Sequence, residues 1–171
     1  MSWAVWFTGR PAAGKTTLAR ALKELAADRG VALIHLESDP LRRILTPGAT
    51  YEAKERDRFY EALARLAAHL TEQGFPVIVD ATAPRREHRD LGRRLIPRFL
   101  EVFVDAPPEV CERRDPKGLY RAARRGDAPH LPGAGEPYED PVSPDLVVSG
   151  TSPPGEAIGL LWRLLHERGF L

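Results

Sequence analysis

Hydrophobic and polar residues alternate along the chain between short apolar runs and longer stretches of helical periodicity. The apolar runs predict five strands, at residues 3–7, 31–38, 75–80, 99–106 and 145–149. Leucines spaced three and four apart predict helices in the intervening segments, as at Leu18, Leu22 and Leu25. Strands that alternate with helices form parallel sheets, so the pattern predicts a three-layer α/β fold. We expect one domain over residues 1–171, with a mostly parallel five-stranded sheet and helices on both faces.

The predicted helices differ in length, and the last connection is the least regular. They cover residues 15–30, 40–45, 51–74, 84–96 and 155–169, with further helical sequence directly after the fourth strand. From residue 127 to residue 144, proline and glycine are frequent and no apolar period remains. A loop of this length in a small domain is typical of a functional or disordered segment.

The segment between the first strand and the first helix carries the most specific motif. Gly9, Gly14, Lys15 and Thr16 have the spacing G-x-x-x-x-G-K-[ST]. The glycines allow backbone N–H groups to converge on one anion, and the helix adds its positive N-terminal end. Lys15 would reach the β- and γ-phosphates of ATP, and the Thr16 hydroxyl would hold Mg²⁺. The predicted nucleotide loop consists of Gly9, Arg10, Pro11, Ala12, Ala13, Gly14, Lys15, Thr16 and Thr17.

Two aspartates follow predicted strands, at the edge of a parallel sheet where ligands gather. Asp39 is the candidate for the carboxylate that positions the acceptor hydroxyl or accepts its proton. Its alternative role is to cap the helix that begins at Pro40. Asp80 ends the apolar run VIVD and is the candidate for a water-mediated Mg²⁺ ligand, with a turn role as the alternative. Arg42 and Arg86 could each bind an acidic acceptor through two N–H groups of the guanidinium, or be ordinary surface arginines.

Composition and charge narrow the class of protein. With 171 residues, 43% hydrophobic and 29% charged, the chain has the composition of one globular domain. A net charge of +1 gives no global sign of nucleic-acid or membrane binding. The single cysteine excludes an internal disulfide, and no targeting leader or apolar run of membrane length is present. We therefore expect a cytoplasmic protein with small-molecule partners and no membrane partner.

Two further runs are specific enough to indicate a family. Residues 114–120 read RDPKGLY, and residues 137–139 read PYE. Together with the phosphate loop, they resemble the adenylylsulfate kinases, which transfer the ATP γ-phosphate to the 3′-hydroxyl of adenosine 5′-phosphosulfate. The resemblance implies ATP and Mg²⁺ as cofactors and a lid over about residues 113–144. It also implies that Lys15 and Asp39 are catalytic and that Arg114 binds the nucleotide. The residues that would bind the acceptor are Asp39, Arg42, Arg56, Arg86 and Lys117. A homodimer is the expected assembly if the chain is not a monomer.

The middle of the chain departs from that family at three places. Phe59 and Glu61 replace an asparagine and an arginine of the family motif that keeps Arg56, and Leu131 replaces an aromatic residue of the lid. The stretch VIVDAT and the arginines after it are more similar to small kinases related to polynucleotide kinase. Three hypotheses therefore remain at this point. They are an adenylylsulfate kinase, a kinase for another hydroxyl such as a polynucleotide 5′-end, nucleoside or metabolite, and a non-enzymatic nucleotide sensor.

Overall fold

The computed structural model describes residues 2–171, which form five strands and seven helices. The strands are β1 (Ala4–Thr8), β2 (Ile34–Glu37), β3 (Val77–Asp80), β4 (Phe99–Asp105) and β5 (Leu146–Ser149). The helices are α1 (Lys15–Asp28), α2 (Ser38–Leu45), α3 (Ala53–Glu72), α4 (Arg86–Leu95), α5 (Pro108–Arg114), α6 (Leu119–Arg124) and α7 (Pro154–Glu167).

All five strands belong to one parallel sheet with the order β2-β3-β1-β4-β5. The first strand lies at the centre, and its register pairs Ala4 with Val77 on one side and with Phe99 on the other. Because the strands are parallel, their carboxyl ends lie along a single edge of the sheet. The predicted α/β fold is confirmed.

The core has two halves, one on each face of the sheet. Successive side chains of a strand point to opposite faces, so Val5 and Phe7 pack with α1 and α7, whereas Ala4 and Trp6 pack with α3 and α4. Every residue of β1 and β3 is buried. Strands covered on both faces are expected to be nearly all apolar, and the only polar residues of these two strands are their last ones, Thr8 and Asp80.

The predicted boundaries hold to within a few residues, with one difference that affects the site. The second strand ends at Glu37 and α2 begins at Ser38, whereas the sequence predicted a strand to residue 38 and a helix from residue 40. The long connection between β4 and β5 contains α5, α6 and an irregular segment with one isolated bridge between Pro132 and Glu136. No helix within residues 2–171 is long and apolar enough to cross a membrane.

Candidate active site

A cleft of about 1610 Å³ opens at the carboxyl edge of the sheet. The phosphate loop and the ends of β2 and β3 line it on one side, and the segment from α5 to residue 132 lines it on the other. Of the candidate residues, the cleft lining includes Pro11, Ala12, Gly14, Lys15, Thr16, Thr17, Asp39, Arg42, Arg56, Asp80, Arg114 and Lys117. Residues far apart in sequence therefore meet here, as the rule for parallel sheets predicts.

The loop between β1 and α1 needs its glycines for two different reasons. Gly9 has φ +152°, and a Cβ there would lie 2.6 Å from the carbonyl oxygen of Val104 on the neighbouring strand. Gly14 has φ +110° at the N-cap position of α1, a conformation that other residues rarely adopt. Both positions allow the loop to turn sharply, so that the N-terminus of α1 faces the cleft.

Lys15 is the first residue of α1, and its ammonium group lies in the loop. It is 8% exposed and donates to the carbonyl oxygens of Gly9 at 3.0 Å and Arg10 at 2.9 Å. Burial lowers the pKa of Lys15 to about 8, although the charge of Asp80 acts in the opposite direction. A buried cation at the N-terminus of a helix is suited to binding a phosphate group.

Asp80 ends β3 within the same wall of the cleft. Its Oδ2 is buried, has no hydrogen-bond partner among residues 2–171, and lies 3.7 Å from Nε2 of His35 on β2. Burial would raise the pKa of Asp80, but the His35 imidazole, the Lys15 ammonium and the Thr16 hydroxyl together lower it. The carboxylate is therefore ionised at neutral pH.

The surroundings of Asp80 fit a magnesium ion held largely by phosphate and water. A Thr16 hydroxyl beside an ionised carboxylate with an unsatisfied oxygen supplies the oxygen ligands that Mg²⁺ prefers. Within residues 2–171, no group of three or more histidine, cysteine or acidic side chains could hold a metal by itself. A site that relies on substrate phosphates needs no such group.

Asp39 lies in the first turn of α2, not before it. The N-cap position belongs to Glu37, and no side chain caps this helix, so the capping alternative for Asp39 is wrong. The Asp39 side chain is 49% exposed in the cleft, and its Oδ2 contacts Nζ of Lys117. A carboxylate at this place can receive a proton from a hydroxyl bound between α2 and the phosphate loop.

Arg42, one turn after Asp39 on α2, is buried against aromatic rings. Its guanidinium carbon lies 4.0 Å from the ring centre of Phe59 and 4.9 Å from that of Tyr51, and its Nη1 donates to Glu55 Oε1 at 2.9 Å. Tyr51 lines the cleft, is 48% exposed and has φ +62°. Together they form a cationic and aromatic wall, which fits an acceptor that has both an anion and a flat ring.

Arg56, on the first turn of α3, faces the same cavity and is only 4% exposed. It donates to Glu136 Oε2 at 3.0 Å and to the carbonyl oxygen of His130 at 2.6 Å. Both partners belong to the irregular segment after α6. This arginine therefore connects α3 to the opposite side of the cleft.

The segment from α5 to α6 approaches the phosphate loop directly. Nη1 of Arg114 lies 3.5 Å from the carbonyl oxygens of Ala12 and Ala13, and the Tyr120 hydroxyl donates to the Pro11 carbonyl at 3.0 Å. Asp115 accepts from the backbone N–H of Tyr120 and so shapes the turn between the two helices. The run RDPKGLY thus places Arg114 and Lys117 at the cleft and uses Tyr120 as a tether.

Three predicted site residues have their side chains elsewhere, and the first, Ala13, is fully buried in the core half that contains α1 and α7. The guanidinium of Arg10 packs over the Tyr138 ring at 5.3 Å and lies 3.5 Å from Asp140 Oδ1, so only its backbone belongs to the loop. Arg86, the first residue of α4, is absent from the cleft lining, because its backbone N–H donates to Glu139 Oε2 and its Nε to the Asp140 carbonyl. The placement of Arg86 on the acceptor is corrected accordingly: its role is to hold the end of the irregular segment.

The PYE run anchors that same end. The Tyr138 hydroxyl lies 2.9 Å from Oγ1 of Thr8 at the end of β1, and Arg89 donates to the Glu139 carbonyl at 2.7 Å. The Glu139 N–H donates to the Pro84 carbonyl at 2.8 Å. These bonds fix residues 138–139 to the sheet edge, while the residues before them extend over the cleft.

The three sequence departures have different structural consequences. Phe59 is fully buried beneath Arg42, and Glu61 lies on the outer face of α3, where it pairs with Arg65 at 2.9 Å. Neither residue lines the cleft, whereas Leu131 does, as an aliphatic wall. Glu61 therefore places no negative charge in the cavity.

Three residues of the site were not found by sequence reasoning. Tyr51 follows a loop and carries no periodic signal, and Glu136 lies in a segment without pattern. His35 gave a usable signal, because it is a polar residue within the apolar run of the second strand. Its position beside Asp80 on the adjacent strand depends on strand order, which the sequence does not show.

Comparisons with known proteins agree with this arrangement. A sequence model of the family described as adenylylsulphate kinase matches residues 1–149. An adenylyl-sulfate kinase of Rippkaea orientalis is 39% identical over 168 residues, covering 98% of this chain and 93% of that protein. One of a Synechococcus strain is 42% identical over 169 residues, covering 98% and 96%.

The fold comparison leads to the same family. The structure of the Mycobacterium tuberculosis APS kinase CysC in complex with AMPPNP and APS superimposes with a TM-score of 0.91. The two chains are 34% identical, and the match covers 96% of this chain and 98% of the other. With the phosphate loop, the strand-end aspartates and the RDPKGLY run in one cleft, the chain belongs to the adenylylsulphate kinase family.

Proposed function

We propose that this protein transfers the γ-phosphate of ATP to the 3′-hydroxyl of adenosine 5′-phosphosulfate. The single observation that carries the proposal is that one cleft holds a phosphate loop on one wall and Asp39, Arg42 and Arg56 on another. A phosphoryl donor and an anionic hydroxyl acceptor can therefore face each other. The names of the relatives support the same acceptor.

In the proposed reaction the residues have separate roles. The Lys15 ammonium and backbone N–H groups of the phosphate loop, which Pro11 lacks, bind the β- and γ-phosphates. Asp39 takes the proton of the acceptor hydroxyl while the hydroxyl oxygen bonds to the γ-phosphorus. In the same step the bond between the γ-phosphorus and the bridging oxygen breaks, and that oxygen leaves with ADP. Arg114 and Lys117, on the lid that we assign to about residues 113–144, balance the charge on the transferred group.

Thr16 and Asp80 are the residues that would hold Mg²⁺. When bound, the ion would neutralise negative charge on the transferred phosphate. Arg42, Arg56 and Tyr51 orient the acceptor, with the arginines on its anions and the tyrosine ring on its base. Arg86 has no part in this assignment.

The direct test is an acceptor panel with purified protein, ATP and Mg²⁺. We expect ADP formation that depends on adenosine 5′-phosphosulfate and is absent with a 5′-hydroxyl oligonucleotide, a nucleoside or gluconate. Turnover with one of those other acceptors alone would assign the cleft to a different kinase activity. Nucleotide binding without turnover for any acceptor would favour the sensor hypothesis.

The pKa of Lys15 predicts how nucleotide binding depends on pH. Below pH 8 the ammonium is charged in the free protein, and it loses its proton as the pH rises through about 8. Bound phosphate raises this pKa, so ATP binding above pH 8 takes up a proton. The dissociation constant should rise about fivefold from pH 8 to pH 9. Calorimetry in buffers of different ionisation enthalpy measures the proton uptake.

A matched variant separates Lys15 from other titrating groups. Lys15→Arg keeps the positive charge to above about pH 12, so its nucleotide affinity should be nearly constant from pH 7 to pH 9. If wild-type affinity is equally constant over this range, the assigned role of the lysine charge is wrong.

Glu61→Arg should change the acceptor KM by less than about twofold, because the side chain forms only a surface ion pair with Arg65. Steady-state kinetics with adenosine 5′-phosphosulfate make the measurement. A tenfold or larger improvement would mean that position 61 faces the acceptor. In that case the natural acceptor would be less anionic than adenosine 5′-phosphosulfate.

A further inference from the structure

Glu136 forms an ion pair with Arg56, the arginine that binds the acceptor in the proposed function. Its Oε2 lies 3.0 Å from Nη1 of Arg56, and its Oε1 lies 2.6 Å from Nδ1 of His130. The His130 carbonyl accepts a second bond from the same guanidinium at 2.6 Å. Arg56 therefore turns two N–H groups toward the lid.

A carboxylate and an acceptor anion compete for the same donors. A guanidinium binds carboxylate, phosphate and sulfate groups through the same fork of N–H groups. Arg56 is 4% exposed, so an anion that reached it beside Glu136 would face a negative charge with little water between them. The acceptor anion and the Glu136 carboxylate therefore exclude each other at this arginine.

The segment that carries Glu136 is a turn held by its own hydrogen bonds. Its turn is closed internally, by bonds from Gly133 N–H to the Glu136 carbonyl at 2.6 Å and from Glu136 N–H to the Leu131 carbonyl at 3.0 Å. Directly after it, Tyr138 is fixed to Thr8 at the sheet edge. Residues 131–136 thus form a unit whose ionic link to α3 is the pair with Arg56.

From this geometry we infer that Glu136 is a specificity-determining residue that the acceptor anion must replace on Arg56. An anionic acceptor exchanges one ion pair at Arg56 for another. A neutral hydroxyl compound offers nothing in exchange and leaves the pair closed. The inference rests on the proposed function, because it takes Arg56 as the acceptor arginine.

The test makes two measurements on each variant. Calorimetry with ADP bound gives the dissociation constant of adenosine 5′-phosphosulfate, and steady-state kinetics give its KM. Glu136→Gln removes the competing charge and keeps the shape, so both constants should fall about tenfold. The KM for ATP should stay unchanged. Glu61→Gln removes a carboxylate from the surface pair with Arg65 on the same helix and should change neither constant.

The Glu136→Gln change in a second variant, Arg56→Gln, distinguishes competition for Arg56 from a purely structural role of Glu136. In Arg56→Gln protein the Glu136→Gln change should have no further effect on acceptor binding, because the shared guanidinium is gone. An unchanged or weaker acceptor affinity in the Glu136→Gln single variant would overturn the inference. Failure of the wild type to bind or phosphorylate adenosine 5′-phosphosulfate would instead overturn the proposed function, so the two failures are distinct.

Discussion

Replacing Lys15 with alanine should lower kcat by about a hundredfold to a thousandfold or more while the protein stays folded. Among residues 2–171 the ammonium bonds only to two loop carbonyls, so its main contribution to the cleft is its charge. Removal of one preorganised donor from a developing negative charge has a cost of this size. The rate of ADP formation and the melting temperature measure the two effects separately.

Lys23→Ala is the matched control for this experiment. Lys23 lies on the exposed face of the same helix, two turns after Lys15. Its loss should leave both activity and melting temperature close to those of the wild type. Near-normal turnover of the Lys15→Ala variant would remove the central role that we assign to the phosphate loop.

Asp39→Asn should lower kcat by about a hundredfold to ten-thousandfold, with much less effect on ATP binding. Asparagine keeps the shape of the side chain but cannot accept the proton of the acceptor hydroxyl. Single-turnover kinetics and nucleotide titration report the chemical step and ATP binding independently. Asp90→Asn, at an exposed position of α4, controls for the loss of a carboxylate as such.

The outcome for Asp39 also decides which acid serves the reaction. Its position in the first turn of α2 gives it a stabilising interaction with the helix dipole, so a small loss of melting temperature is expected. If that loss is the only effect of Asp39→Asn, the proton acceptor must lie elsewhere. Asp80, buried and ionised at the end of β3, would then be the next candidate.

The fold and the nucleotide loop could be predicted from the sequence because their signals are local. The apolar runs mark the strands, and Gly9, Gly14, Lys15 and Thr16 fix the loop by spacing alone. The carboxyl-edge rule then brought Asp39 and Asp80 to the same cleft. None of these inferences needed the order of the strands.

The direction of side chains on α3 could not be read from a motif match. Phe59 and Glu61 both departed from the family pattern, and both suggested a changed acceptor pocket. On a helix, five residues turn by about 140° beyond one full turn, so Glu61 points to solvent while Arg56 faces the cleft. Phe59 lies between them in sequence and packs beneath Arg42.

The role of Arg86 depended on a contact that no local pattern contains. Its backbone N–H and Nε bind Glu139 and Asp140, which are 53 and 54 positions away along the chain. The pair of Arg56 with Glu136 spans 80 positions. Such contacts follow from tertiary packing of the segment after α6, for which the sequence predicted only an irregular loop.

The position of the transferred phosphoryl group tests the proposed activity most directly. Wild-type protein is incubated with ATP, Mg²⁺ and adenosine 5′-phosphosulfate, and the product is examined by phosphorus NMR with coupling to the ribose protons. We predict a new phosphomonoester on the 3′-oxygen, formed in a one-to-one ratio with ADP and at least about a hundredfold more slowly in a Lys15→Ala control. A new phosphate at any other position, or ADP formed without a phosphorylated acceptor, would contradict the assignment of Asp39 and the arginines to this substrate.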